Sequence, residues 1–153
     1  MDHSSQPHLP TTESAVAAIR EIAREYNLEM RVTDDIGADR TSRRTSAGAF
    51  TVLDPDGSLP HEALVELGGT PELSVRLFPE GDALVDVEGV PCHDIPRDLV
   101  PAFLRSVLGG LAYVKGRFFP PGYRLIVPLP GDRVHKEYLP MINLSPWLSG
   151  KVR

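Results

Sequence analysis

Three six-residue blocks, EALVEL, ELSVRL and DALVDV, begin at positions 62, 72 and 82 and follow one pattern. Their odd positions are all apolar: Ala63, Val65 and Leu67, then Leu73, Val75 and Leu77, then Ala83, Val85 and Val87. The even positions are mostly charged, with Glu62, Glu66, Glu72, Arg76, Asp82, Asp86 and Glu88, and they admit Leu64, Ser74 and Leu84. A period of two predicts strands with one buried and one wet face, and the breaks GGTP and FPEG supply turn residues, so an antiparallel meander is expected. Register follows: Val65 should lie beside Val75 and Val75 beside Val85, because a one-residue slip would set apolar against acidic side chains. A short helix through LPHEALVEL, ended by Gly68 and Gly69, is the competing reading.

Elsewhere the period changes. From about Thr12 to Tyr26 the apolar positions Val16, Ile19, Ile22, Ala23 and Tyr26 recur at helical steps, and Asn27 suits a left-handed stop. Leu28, Met30 and Val32 then alternate with Glu29, Arg31 and Thr33 as a first strand, and a second strand is expected from about Ala47 to Leu53, after an Arg-rich loop. A second helix should cover Asp98 to Leu108, its stripe running through Leu99, Val100, Phe103, Leu104, Val107, Leu108 and Leu111; it is wide enough to cover the apolar face of the meander. Pro101 fits only a first turn. YRLIVPLP reads as a last strand, and the tail from about residue 134 has no assignable period.

These elements predict an α+β fold: an N-terminal helix, a meander of about five or six strands with one acidic solvent face, a second helix on the apolar face, a C-terminal strand and an irregular tail. Residues 1–11 are expected to form a disordered leader and residues 12–153 a single domain, which suits a chain of 153 residues. The N-terminus has no basic region followed by an apolar run, and the longest late apolar run, SVLGGLAYV, is far below the roughly 20 residues of a membrane span, so a soluble cytoplasmic protein is expected. The single cysteine cannot form an internal disulfide.

Charge is unevenly distributed. Residues 1–45 carry a net −2, residues 46–98 a net −9 and residues 99–153 a net +6. An acidic middle and a basic end attract different partners if the fold puts them on different surfaces.

The densest candidate chemistry is Cys92, His93 and Asp94 in GVPCHDIPRD. A nucleophilic cysteine needs a base within hydrogen-bond reach. As the next residue of an extended segment, His93 points to the opposite face, and His61 or His135 would serve only if folding brought one of them close. The preferred reading makes Cys92 a small buried residue, Asp94 a helix-start residue and Pro96 a helix-entry residue. HEALV has Val65 where a zinc protease needs its second histidine, and HKE at His135 lacks the paired cysteines of a deaminase. A metal held by His61, Cys92, His93 and Asp94 would be a tertiary coincidence, since structural zinc shows paired ligands at short spacing. No phosphate-loop, dinucleotide or serine-hydrolase motif is present. No catalytic residue, metal or cofactor is therefore expected.

The function expected is a non-enzymatic protein-binding module of immunity-protein, secretion-chaperone or adaptor type that uses the acidic sheet face to bind a basic partner. Its contact residues would be Glu62, Leu64, Glu66, Asp82, Leu84, Asp86 and Glu88, with Trp147 from the uncharged tail LPMINLSPWLS, which either straps the core or docks on a second copy in a homodimer. The alternative is a nucleic-acid-binding or regulatory protein that uses residues 113–124, where Lys115, Arg117 and Arg124 interleave with Tyr113, Phe118, Phe119 and Tyr123. Against it stands burial of Phe118 and Phe119 beneath the turn at Pro120 and Pro121. An enzyme with a Cys/His site at residues 92–93 is a third alternative.

Overall fold

The computed structural model describes residues 8–34, 62–118, 121–139 and 144–153. The strand expected from Ala47 to Leu53 lies outside them. Helix α1 (Thr12–Glu25) starts at a capping box, in which the Thr11 side chain accepts from the Ser14 N–H (3.0 Å) and the Ser14 hydroxyl accepts from the Thr11 N–H (3.1 Å). Ala15, Val16, Ile19, Ile22 and Ala23 are buried along one stripe. The chain leaves the helix through Asn27, whose φ of 56° is the left-handed conformation that stops it.

Five strands follow as one antiparallel meander: β1 (Met30–Asp34), β2 (Ala63–Leu67), β3 (Leu73–Leu77), β4 (Asp82–Val87) and β5 (Val90–Pro96), in sheet order β1-β2-β3-β4-β5. The segment with a competing helical reading is strand β2. The register is the expected one, with Val65 opposite Val75 and Val75 opposite Val85. Every odd position of β2, β3 and β4 is buried, while the even positions are half-buried or exposed. Turn chemistry secures the hairpins. Gly69 has φ of 131°, and a Cβ there would stand 2.8 Å from a Leu28 methyl carbon, so only glycine fits. Glu88 and Gly89 both have positive φ and form the two-residue link between β4 and β5.

A 3-10 turn (Arg97–Leu99) leads into α2 (Val100–Leu108), with Pro101 in its first turn as the ring requires. Helix α2 packs on α1 and on the second sheet described below, and its Val100, Phe103, Leu104 and Val107 join the core. Leu111, assigned to the same stripe from sequence, is exposed, because the helix ends at Gly109 and the chain has turned away. Asp94 does not start the helix. The pairing of β5 with β4 jumps from Cys92 opposite Val85 to Ile95 opposite Ala83, so His93 and Asp94 share a bulge, where Asp94 has φ of 57°. The carboxylate at the helix entry is Asp98, which accepts the Leu9 N–H at 2.7 Å. Buried Arg97 completes this clamp: it donates to the Leu9 and Pro10 carbonyls (3.4 and 2.9 Å) and to those of Phe78 and Pro79 (3.1 and 3.4 Å). Leu9 itself lies in the core.

The expected last strand belongs to a second antiparallel sheet of three strands, β6 (Tyr113–Arg117), β7 (Gly122–Leu129) and β8 (Arg133–Leu139). The segment without an assignable period thus supplies β8 and the short helix α3 (Pro146–Gly150), which Ser145 caps by accepting the Leu148 N–H. The end of the chain runs beside β6, where Val114 N–H donates to the Lys151 carbonyl and Arg153 N–H to the Val114 carbonyl, both at 2.9 Å. Leu148 is buried, and Leu144 and Trp147 pack against the core, so the tail straps its own chain. Both sheets and all three helices contribute to one core. No helix among the described residues is long and apolar enough to cross a membrane.

Candidate functional site

Two regions carry chemistry. The first lies where β5 of the large sheet meets β8 of the small one. Cys92 points inward from β5 and is fully buried. On β8, His135 and Glu137 are two residues apart and so share a face, opposite the fully buried Val127 and Leu125 of β7. The fold brings one potential ligand atom from each of Cys92, His135 and Glu137 within 4.8 Å of the others. Each partner is oriented. The Glu137 carboxylate oxygen lies 2.9 Å from His135 Nε2 and accepts the His93 backbone N–H at 3.1 Å, while the His135 ring stands edge-on to Phe103 with centroids 5.6 Å apart. The side chains of His135 and Glu137 remain 18% and 23% exposed, which leaves a narrow opening to solvent.

His93 is not part of this cluster through its side chain, which is exposed on the bulge; only its backbone takes part. Of the two more distant histidines weighed as partners of the thiol, His135 is brought close, and His61 lies outside the described residues. Glu137 stands in the sequence only as the last residue of HKE, with no local signal that would pair it with Cys92. Burial, and secondarily the carboxylates of Glu137 and Asp86, push the Cys92 thiol well above the ordinary cysteine range. A protonated thiol with no access to solvent and two carboxylates near it is a poor nucleophile. Thiolate, imidazole and carboxylate together are, in contrast, a ligand set for a transition metal.

The second region is the outer face of the large sheet. Cross-strand pairing sets Arg31, Glu66, Ser74, Asp86 and Pro91 in one row and Thr33, Leu64, Arg76 and Leu84 in the next. The expected contact residues Glu66 and Asp86 are therefore neighbours across Ser74, and Leu64 and Leu84 flank the half-buried Arg76. Glu62 precedes β2, and Asp82 is exposed at the start of β4. Two of the carboxylates also serve the turns: Asp86 accepts the Gly89 N–H (2.8 Å) and Glu88 the Glu72 N–H (2.6 Å). Trp147 sits apart from this face, on α3 beside β6, with the Lys151 ammonium 5.3 Å from its ring. At one end of the face a cleft of about 860 Å³ is lined by Glu29, Arg31, Glu66, Glu72, Ser74 and Asp86 among others. Glu29, just before β1, and Arg31 within it are legible as wet positions of the alternation, but their place in one cleft with Glu66 depends on β1 pairing with β2.

The outer face of the small sheet has the opposite character. Lys115, Arg124 and Tyr138 align across its three strands, as do Tyr113, Ile126 and Lys136, and the Arg153 guanidinium lies 4.6 Å from the Tyr113 ring centre. Phe118 is not packed beneath a turn. It is 100% exposed, because β6 ends at the Arg117 to Gly122 pair and no core lies beyond it. Phe119 and Pro120 lie outside the described residues. Compared with protein-family models, with curated proteins and with solved structures, the chain matches none.

Proposed function

We propose that the protein is a binding module for a basic partner protein, acting as an immunity protein, secretion chaperone or adaptor does, and that it engages the partner through the outer face of the five-stranded sheet. The observation that carries this reading is the cleft at the end of that face, where four carboxylates, Glu29, Glu66, Glu72 and Asp86, accompany a single cation, Arg31. Its volume of about 860 Å³ suits a lysine or arginine side chain with its neighbours in a loop. Long-range attraction from such a surface raises encounter rates with a basic protein, and Leu64 and Leu84, half-buried beside the cleft rows, supply apolar contact once docking excludes water. The test is comparative capture from an extract of the native cell with the wild type and with Glu66→Lys/Asp86→Lys. A basic protein held by the wild type and lost from the variant supports the reading. Identical capture by both, or capture of acidic proteins alone, contradicts it.

A second reading rests on Phe118. A fully exposed phenylalanine beside a face carrying Lys115, Arg124, Lys136 and Tyr138 offers a stacking platform and cations for single-stranded nucleic acid. The formal net charge of −5 opposes it. Anisotropy of a labelled oligonucleotide at low salt decides: binding that weakens on Phe118→Ala supports this reading, and no binding excludes it.

A further inference from the structure

We propose that Cys92, His135 and Glu137 form a binding site for one zinc ion at the seam between the two sheets. The inference is independent of the partner-binding reading and rests on three features of the cluster. The first is composition. Thiolate, imidazole and carboxylate are the three protein ligand types that zinc accepts, and hard cations such as Mg²⁺ and Ca²⁺ have no use for a thiolate. The second is placement. The candidate ligand atoms already lie within 4.8 Å of one another, and a tetrahedral ion would hold sulfur and nitrogen about 3.5 Å apart, a difference that small side-chain rotations cover. The third is orientation by neighbours. The His93 backbone N–H fixes the Glu137 carboxylate and the Phe103 ring fixes the plane of His135, which is the support that ligating groups receive from the shell around them.

The alternative, that these residues only fill space, leaves the pattern of β8 unexplained. His135 and Glu137 occupy inward positions, opposite Val127 and Leu125, where an aliphatic pair would extend the core without burying polar atoms. The Cys92 thiol, for its part, donates a long hydrogen bond to the Val90 carbonyl at 3.8 Å, which ligation of an ion would replace. Binding is balanced by loss of the thiol proton to solvent, with His135 ligating as neutral imidazole through Nε2 and carrying its proton on Nδ1. Three protein ligands leave the fourth position to water. Because the ligands come from β5 and β8, the ion would tie one sheet to the other.

The experiment uses the full-length chain freed of metal by chelation, with Co²⁺ and Zn²⁺ as probes and Mg²⁺ as control. The expected result is one Co²⁺ per chain with a tetrahedral visible spectrum and a sulfur-to-cobalt charge-transfer band, displaced by Zn²⁺. Zn²⁺ should also raise the unfolding temperature by several degrees, and Mg²⁺ should not. Cys92→Ala should abolish the charge-transfer band, and His135→Gln and Glu137→Gln, which keep size and hydrogen bonding, should each weaken Zn²⁺ binding by at least about tenfold. Circular dichroism verifies the fold of each variant; if Cys92→Ala fails to fold, the two glutamine variants decide. Absence of stoichiometric binding by the wild type overturns the proposal. So does binding that persists unchanged in the folded variants, which would assign the ion to histidines elsewhere in the chain.

Discussion

On the five-stranded sheet every inward position of β2, β3 and β4 is aliphatic and the outer face is rich in carboxylates, whereas on the three-stranded sheet β8 turns His135 and Glu137 inward and the outer face is basic and aromatic. Both sheets obey the period of two. What differs is the chemistry placed on it. A strand whose inward residues are all apolar has no polar group to satisfy inside, so its outward residues are free to serve recognition. A strand whose inward residues are polar must satisfy them locally, and β8 does so with the 2.9 Å contact between His135 Nε2 and the Glu137 carboxylate, beside the thiol of the neighbouring sheet. The larger sheet therefore presents a carboxylate-rich outer face, and the smaller one a basic outer face and two inward polar groups that meet Cys92 of the larger sheet.

The largest effect should come from breaking the larger sheet at its centre. Val75 is fully buried between Val65 and Val85, and Val75→Asp would place an unpaired charge there, at a cost above about 4 kcal/mol. We expect no folded protein by circular dichroism. Next is the clamp that joins the N-terminal segment to the β3–β4 turn: Arg97→Ala should cost about 2–4 kcal/mol in denaturant unfolding, since it strips the Leu9, Pro10, Phe78 and Pro79 carbonyls of a charged donor. A loss below about 1 kcal/mol would mean that water replaces the guanidinium freely.

The contrast between the sheets also explains which features are legible in the sequence alone. The register from Val65 to Val85, the wet face of the meander and both long helices are written in apolar periodicity, which is the signal that burial imposes on a sequence. The split into two sheets is not, because β8 lacks that signal: VHKEYL alternates in burial but has histidine and glutamate where the pattern needs aliphatic residues. The same substitution that hid the strand built the Cys92, His135 and Glu137 cluster. Local pattern fails where a site makes its own demands. Asp94 was misplaced for a related reason. A bulge inserts one residue without a composition cue, and it converts an expected helix start into a turn of β5. The proximity of Cys92 to His135 joins positions 43 apart in the sequence, a distance that only the tertiary fold closes.

Smaller effects separate the site from the surface. In metal-free protein the folded chain holds the Cys92 thiol protonated above the ordinary range, while the unfolded thiol ionises near about pH 8.5. The folded state therefore binds that proton more tightly. Stability from this group is intact below about pH 8.5 and declines as pH rises further, by up to about 1.4 kcal/mol per pH unit. Urea midpoints at about pH 8 and about pH 10 should diverge in the wild type and less so in Cys92→Ala; equal divergence would contradict the assignment. The smallest effect on stability belongs to the outer face of the larger sheet, where Glu66 is exposed and Glu66→Gln should stay within about 0.5 kcal/mol.

That separation of stability from recognition makes one measurement decisive for the acidic face. A basic protein retained by capture would be purified, and its association rate measured at low and high salt with three proteins: wild type, Glu66→Lys/Asp86→Lys and Lys115→Glu/Lys136→Glu. Reversing the outer face of the five-stranded sheet should slow association at low salt by about tenfold or more, with the difference shrinking at high salt, while reversing the face of the three-stranded sheet should not slow it. Equal rates for all three proteins, or slowing confined to the Lys115→Glu/Lys136→Glu variant, would contradict the account.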